Sequence, residues 1–245
     1  PITSAGLPEP FEVRTFATMS GPAVFATFTA MGAFLVVLLH RSSLAKLLLL
    51  PTGIALLLSL YRTAWLMLLT ALIVSALCSA TRRKSLLLLL GGVLAGAAAL
   101  LGPFQDRILE RLQTLGDAQD VSGVERLYQY VQMWDLPYSG LIGYGYSSVD
   151  TGVAGAMAVD GMIISCWFSM GIVVGLFCLA ALVGVVVQAM LTLRTDRSPV
   201  AIALAALAAG MLVQVPLASV ASGELGLLFW LVCSLAHPVK REAPA

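Results

Sequence analysis

Apolar runs long enough to cross a bilayer follow one another through this chain, separated mostly by short turns that carry basic side chains. A helix needs about 20 predominantly apolar residues to traverse the hydrocarbon core. A helix also satisfies all of its own backbone polar groups, which lipid cannot do for it. The runs lie at roughly 20–39, 44–61, 63–80, 85–103, 161–193, 199–219 and 224–237. The fifth is longer than one span requires and is expected to tilt or protrude; the last is short. Charged residues make up 11% of the chain, against about 25% in an average soluble domain. With 59% hydrophobic residues, too little polar surface remains to cover a soluble fold. The expected class is all-α, a polytopic transmembrane bundle of about seven spans.

The turns predict which way the helices run, because basic residues favour the cytoplasmic side of short loops. His40, Arg41 and Lys46 lie in the first connection, Thr81-Arg82-Arg83-Lys84 in the third, Arg194 and Arg197 in the fifth, and Lys240-Arg241 in the tail. These are alternate connections, so seven helices put them all on one side. That side holds all three lysines and nine of the fourteen basic residues, and the other side holds eleven of the thirteen acids. The N-terminus is therefore expected outside the cytoplasm and the C-terminus inside. The chain opens on Pro1 with no charged n-region, so no signal peptide is expected. An odd number of spans with an external start reads as the C-terminal part of a protein whose N-terminal half is missing. Three regions follow: 1–103 with four spans, 104–160 as a large extracytoplasmic loop, and 161–245 with three spans and a cytoplasmic tail.

A connection as long as 104–160 is uncommon unless it is functional or disordered, and its composition is not that of a disordered segment. Phe104, Ile108, Leu109 and Leu112 share one face of an amphipathic helix. Ser122-Gly123-Val124-Glu125 has capping-box spacing and opens a second helix, carrying Arg126 and Tyr130, that runs to about Trp134. Pro137 stops it, and in Leu141-Ile142-Gly143-Tyr144-Gly145-Tyr146 the glycines permit a tight turn or a close backbone approach. Asp160 stands immediately before the fifth apolar run.

Five arginines depart from the charge bias: Arg14, Arg62, Arg107, Arg111 and Arg126. A guanidinium near a membrane boundary must snorkel, pair or face a wet cavity. Arg62, between Tyr61 and Trp65, is either an interfacial anchor in an aromatic belt or a phosphate ligand. Arg14 divides between the same two roles. Arg107 and Arg111 read as a solvated face beside Asp106 and Glu110. Arg126 has Glu125 and Asp120 within reach for surface pairs that contribute little. Asp160 is either a helix cap complementing the dipole or a working carboxylate. Cys78, Cys166, Cys178 and Cys233 lie in apolar runs without metal-ligand spacing and read as small hydrophobes. The formal net charge of +1 carries no basic face for a nucleic-acid partner.

Taken in order, these stretches resemble the superfamily of O-antigen ligases and of O-antigen and exopolysaccharide polymerases. Arg14-Thr15-Phe16 with Gly21-Pro22 is similar to its arginine-led motif before a span, and Ser59-Leu60-Tyr61-Arg62-Thr63-Ala64-Trp65 to its Ser-Arg-containing helical hairpin. Arg126 through Trp134 and then Pro137 to Gly145 resembles its Arg…Trp…Pro-Gly-rich loop, with imperfect spacing. Val159-Asp160-Gly161 followed by Met170 to Gly175 resembles the loop's end and the glycine-containing next helix. The likeness covers nearly all of this chain and would match only the C-terminal part of such a protein.

The resemblance implies a metal-independent glycosyltransferase of the bacterial inner membrane, with no cofactor, acting on the periplasmic side. Its substrate would be an undecaprenyl-diphosphate-linked oligosaccharide, and its surroundings membrane lipids and other polysaccharide-assembly proteins such as a chain-length regulator. Arg62 and Arg126 would hold the diphosphate, with Arg14 and Tyr130 as further binding residues and Asp160 as a catalytic carboxylate. Ligases of the superfamily keep a histidine in the large loop. Here His40 and His237 both fall on the cytoplasmic side, and the corresponding position resembles Asp160. That favours polymerase over ligase. A lipid-linked glycan transporter is the other alternative, although polar or helix-breaking groups for a midplane site are limited to Pro51, Gln214 and Pro216.

Overall fold

The computed structural model describes residues 19, 21–40, 42, 47–59, 61–100, 128, 130, 131, 141–143, 145, 161–220 and 223–237. The first loop helix expected around 104–112, the cap at Ser122, and Arg14, Arg107, Arg111, Arg126 and Asp160 lie outside the described residues. Among the described residues the chain is helical throughout, with no strand. Two helices, Pro22–Leu39 and Met162–Arg194, are long and apolar enough to cross a membrane. The chain divides into two units, Pro1–Leu86 with Leu182–Ala245, and Leu87–Ala181.

In the first unit, α1 (Pro22–Leu39) starts on a proline in its first turn after an extended Gly21, where the missing N–H costs nothing. The second helix, α2 (Leu49–Leu58), has ten residues, about 15 Å of rise and half of a span. The expected 44–61 helix is thus shorter in the described residues. Pro51 is compatible with the first turn of this helix, where a helix interior would reject it. A tight turn leads to α3 (Arg62–Leu77). Three bonds close that turn: Ser59 Oγ donates to the Leu56 carbonyl at 2.6 Å, the Tyr61 N–H donates to Ser59 Oγ at 3.4 Å, and the Trp65 indole N–H donates to the same Leu56 carbonyl at 3.2 Å.

After α3 the chain turns through Cys78–Thr81 into α4 (Arg82–Leu100). Ser75, Thr81 and Ser85 are buried there and fully bonded, with the Ser75 and Ser85 hydroxyls 2.7 Å apart and Thr81 Oγ1 donating to the Ser75 carbonyl at 2.6 Å. Lys84 Nζ donates to the Leu38 carbonyl, capping the last turn of α1, where a cation complements the helix dipole. The chain re-enters this unit in the second half of α5 (Met162–Leu191), followed by a 3-10 turn at Thr192–Arg194. Helix α6 (Pro199–Gln214) is N-capped by Ser198, whose hydroxyl accepts from the Ala201 N–H at 3.2 Å. The last helix is α7 (Gly223–Leu235).

Helix α1 touches α2, α3, α6 and α7, and the most extensive pairing is α3 with α6. The face of α6 is made of small residues, with Ala203, Ala205, Ala206 and Ala208 fully buried, so backbones approach closely. At Gly210 a side chain would run into the Met67 carbonyl of α3. Phe34, Leu38, Met67, Ile202, Leu207, Met211 and Phe229 fill the space between.

The second unit contains a correction. The expected single helix over 161–193 is broken at Gly171, whose φ of 78° and ψ of 169° are non-helical. The two legs then fold back on each other. Cys166 Sγ and Cys178 Sγ are 3.6 Å apart, whereas twelve residues of continuous helix would span about 18 Å. A side chain at Gly175 would stand 3.1 Å from the Cys166 carbonyl oxygen. The second leg, Ile172 to Leu191, still has about 30 Å of rise. The first leg is short because Gly171 is needed elsewhere. The Leu141 carbonyl packs directly on it, leaving no room for a Cβ, and Gly143 packs the same way on the Ser169 carbonyl. The Gly145 N–H donates to the Ser169 carbonyl at 3.0 Å. The close backbone approach expected of the Leu141–Gly145 glycines is therefore present at Gly143, and its partner is the fold-back of α5.

Candidate functional site

The first unit has two distinct ends. At one, Lys84 reaches Leu38, Thr192 Oγ1 lies 3.3 Å from the Ala236 carbonyl at the end of α7, and a cavity of about 310 Å³ is lined by Leu77, Cys78, Ser79, Ala80, Leu193, Arg197 and Ile202. The third and fifth connections and the end of α1 thus meet there, carrying Arg82, Arg83, Lys84, Arg194 and Arg197. The other end is fixed by the α2–α3 turn and by the contact of Gln214, the last residue of α6, with Thr63 in α3. Arg62 stands at that second end, a helix length away from the basic connections. Among the described residues it is the one arginine or lysine of this unit found there.

Arg62 is the first residue of α3 and is half-buried. Tyr61, which precedes it in extended conformation, supplies no side-chain cap to α3. The first turn therefore leaves backbone N–H groups at the positive end of the helix dipole, beside a guanidinium. Both features attract an anion, and the guanidinium's planar fork suits phosphate oxygens. The Ser59 and Trp65 bonds hold the turn from behind, so Arg62 projects from a fixed backbone.

Beneath Arg62 lies a layer of buried polar groups. Thr63 is 7% exposed and its hydroxyl has no partner; Gln214 is 0% exposed, and its Nε2 donates to the Thr63 carbonyl at 3.2 Å while its Oε1 has no partner. The sequence flagged Gln214 only as a weak midplane group for a transporter. Its place at the end of α6, one residue from Arg62 across the α3–α6 pairing, is new. The signal was present in the sequence, since Gln214 is the one amide in an otherwise apolar helix, but its partner lies 151 residues away.

Of the other expected site residues, Tyr130 is half-buried in a helical stretch with Tyr128 and Val131, as expected for the second loop helix, and belongs to the second unit. Arg14, Arg126 and Asp160 are outside the described residues. Cys78 and Cys178 are half-buried, and Cys166 and Cys233 are buried. No family model, curated protein or solved structure matches this chain.

Proposed function

We propose that the chain is the C-terminal part of a seven-span inner-membrane glycosyltransferase that polymerises polyprenyl-diphosphate-linked glycan repeat units on the periplasmic face. The observation that carries this reading is Arg62: a cation at the head of α3, held by a closed turn, at the end of its unit opposite the basic connections. If the basic end is cytoplasmic, Arg62 faces the periplasm. Broad apolar exposure on α4 and α5, at Leu87, Val93, Leu94, Leu176 and Phe177 among others, suits lipid contact and not water.

The chemistry follows from charge. An acceptor hydroxyl attacks the anomeric carbon of the donor sugar, and the bond from that carbon to the diphosphate oxygen breaks. The diphosphate leaves with the electron pair, and the hydroxyl proton passes to a carboxylate, a role the family likeness gives to Asp160. Negative charge grows on the leaving group, so a fixed guanidinium stabilises the transition state more than the ground state. Arg62→Ala is expected to lower chain lengthening by roughly 10²–10³-fold, with the protein still inserted. Arg62→Lys restores charge without the fork and is expected to fall between. Polymer of normal length and yield from Arg62→Ala cells would overturn the assignment.

One observation favours a second reading, a lipid-linked glycan transporter. The break in α5 at Gly171, stabilised by a glycine-rich segment, belongs to the kind of discontinuous helix that lines transport sites. Proteoliposomes separate the two: a transporter moves the lipid-linked glycan across the bilayer without elongating it.

A further inference from the structure

We infer that Gln214 is a positioning residue for Arg62, acting through the backbone of Thr63; this rests on the glycosyltransferase reading above. The direction of the amide is fixed by chemistry, because the Thr63 carbonyl can only accept and so must face the Nε2 of Gln214. The bond ties the last residue of α6 to the first turn of α3, one peptide unit from Arg62. Close packing just below makes the tie stiff, since Gly210 lies directly on the Met67 carbonyl one turn further along the same pair.

The amide is poorly chosen for stability. Its Oε1 is buried without a donor, as is the neighbouring Thr63 hydroxyl. An orphaned buried acceptor carries its full desolvation penalty, and an apolar side chain of similar shape removes that penalty together with one bond. A methionine in this alanine-rich helix would serve the fold as well or better. A polar group retained in an apolar helix at an energetic loss, and bonded beside the candidate site, is what a functional constraint produces. By holding the first turn of α3, Gln214 sets where the guanidinium and the helix N-terminus converge on the departing diphosphate.

The test compares wild type, Gln214→Met, Gln214→Glu and Arg62→Ala in the complete protein reconstituted with an undecaprenyl-diphosphate-linked oligosaccharide isolated from the same cells. Gln214→Met is expected to lower kcat by about tenfold or more while changing KM by less than about threefold, with Tm unchanged or raised. Gln214→Glu supplies a carboxylic acid whose pKa burial raises. Below that pKa it donates to the Thr63 carbonyl and restores activity; as pH rises through it the donor is lost, giving an alkaline limb absent from wild type. A kcat near wild type in Gln214→Met, a kcat that falls together with Tm, or a Gln214→Glu profile without the new limb would overturn the inference. Full activity in Arg62→Ala would instead remove the glycosyltransferase reading beneath it, and the inference with it.

Discussion

Gly210 and Trp65 show how much of this protein is decided by single contacts. A methyl group at Gly210 would meet the Met67 carbonyl oxygen closer than atoms tolerate and the Met67 side chain at 3.0 Å. A helix carbonyl cannot swing aside cheaply, so α3 and α6 must part. Gly210→Ala is expected to cost about 1–3 kcal/mol, the usual range for overpacking, read as a lowered Tm in detergent; an unchanged Tm would show that the helices have slack there. Trp65→Phe keeps the ring and deletes the indole bond to the Leu56 carbonyl, for an expected loss of about 0.5–1.5 kcal/mol. The larger consequence should appear in chain lengthening, since that bond braces the turn that presents Arg62.

Among the elements, the helices were the most legible part. Runs of apolar residues bounded by Pro22, by Ser198-Pro199 and by the Arg82-Arg83-Lys84 turn end close to where the sequence places them. The Arg62 hairpin was legible too, because Ser, Tyr and Trp around an arginine are unusual inside an apolar stretch. The fold-back of α5 was not. Hydropathy sums apolar character and is blind to φ, and one glycine in a helix costs only about 1 kcal/mol, so Gly171 looked tolerable. What makes it a break is the Leu141 carbonyl thirty positions earlier, and no local pattern contains that contact. The fold-back has a direct test. In a Cys78→Ser, Cys233→Ser background, Cys166 and Cys178 should cross-link rapidly with a zero-length oxidant and lose two maleimide-reactive thiols together. Slow or absent cross-linking would mean that the helix runs on through Gly171. Gly171→Ala is expected to slow the reaction sharply, as both the left-handed φ and the Leu141 contact oppose a side chain.

For the molecule as a whole, two independent lines agree on sidedness within the first unit. Counting charge along the sequence assigns the basic connections to one side, and the contacts of Lys84, Thr192 and the Leu77–Ala80 turn gather those connections at one end. Arg62 and the start of α7 lie toward the other. Ser79 and Glu224 are exposed at opposite ends. A cysteine at Glu224 is therefore expected to react with a membrane-impermeant maleimide in intact cells, and a cysteine at Ser79 only after lysis. The reverse pattern would turn the protein over and place Arg62 in the cytoplasm, away from any periplasmic donor. The site was less legible than the topology. Its arginine could be picked out by sidedness alone, but the buried amide beneath it acquires meaning only once α3 and α6 are seen side by side.

The bond from Gly145 to Ser169 has an engineering corollary. It pins both ends of the intervening stretch to the same spot, so the span of chain between them is free to differ in length without disturbing what lies on either side. Loop-closure entropy grows only logarithmically, and a doubling adds about 0.6 kcal/mol. An epitope tag spliced in between Tyr146 and Asp150 should then be carried at full expression, giving a handle on the native protein.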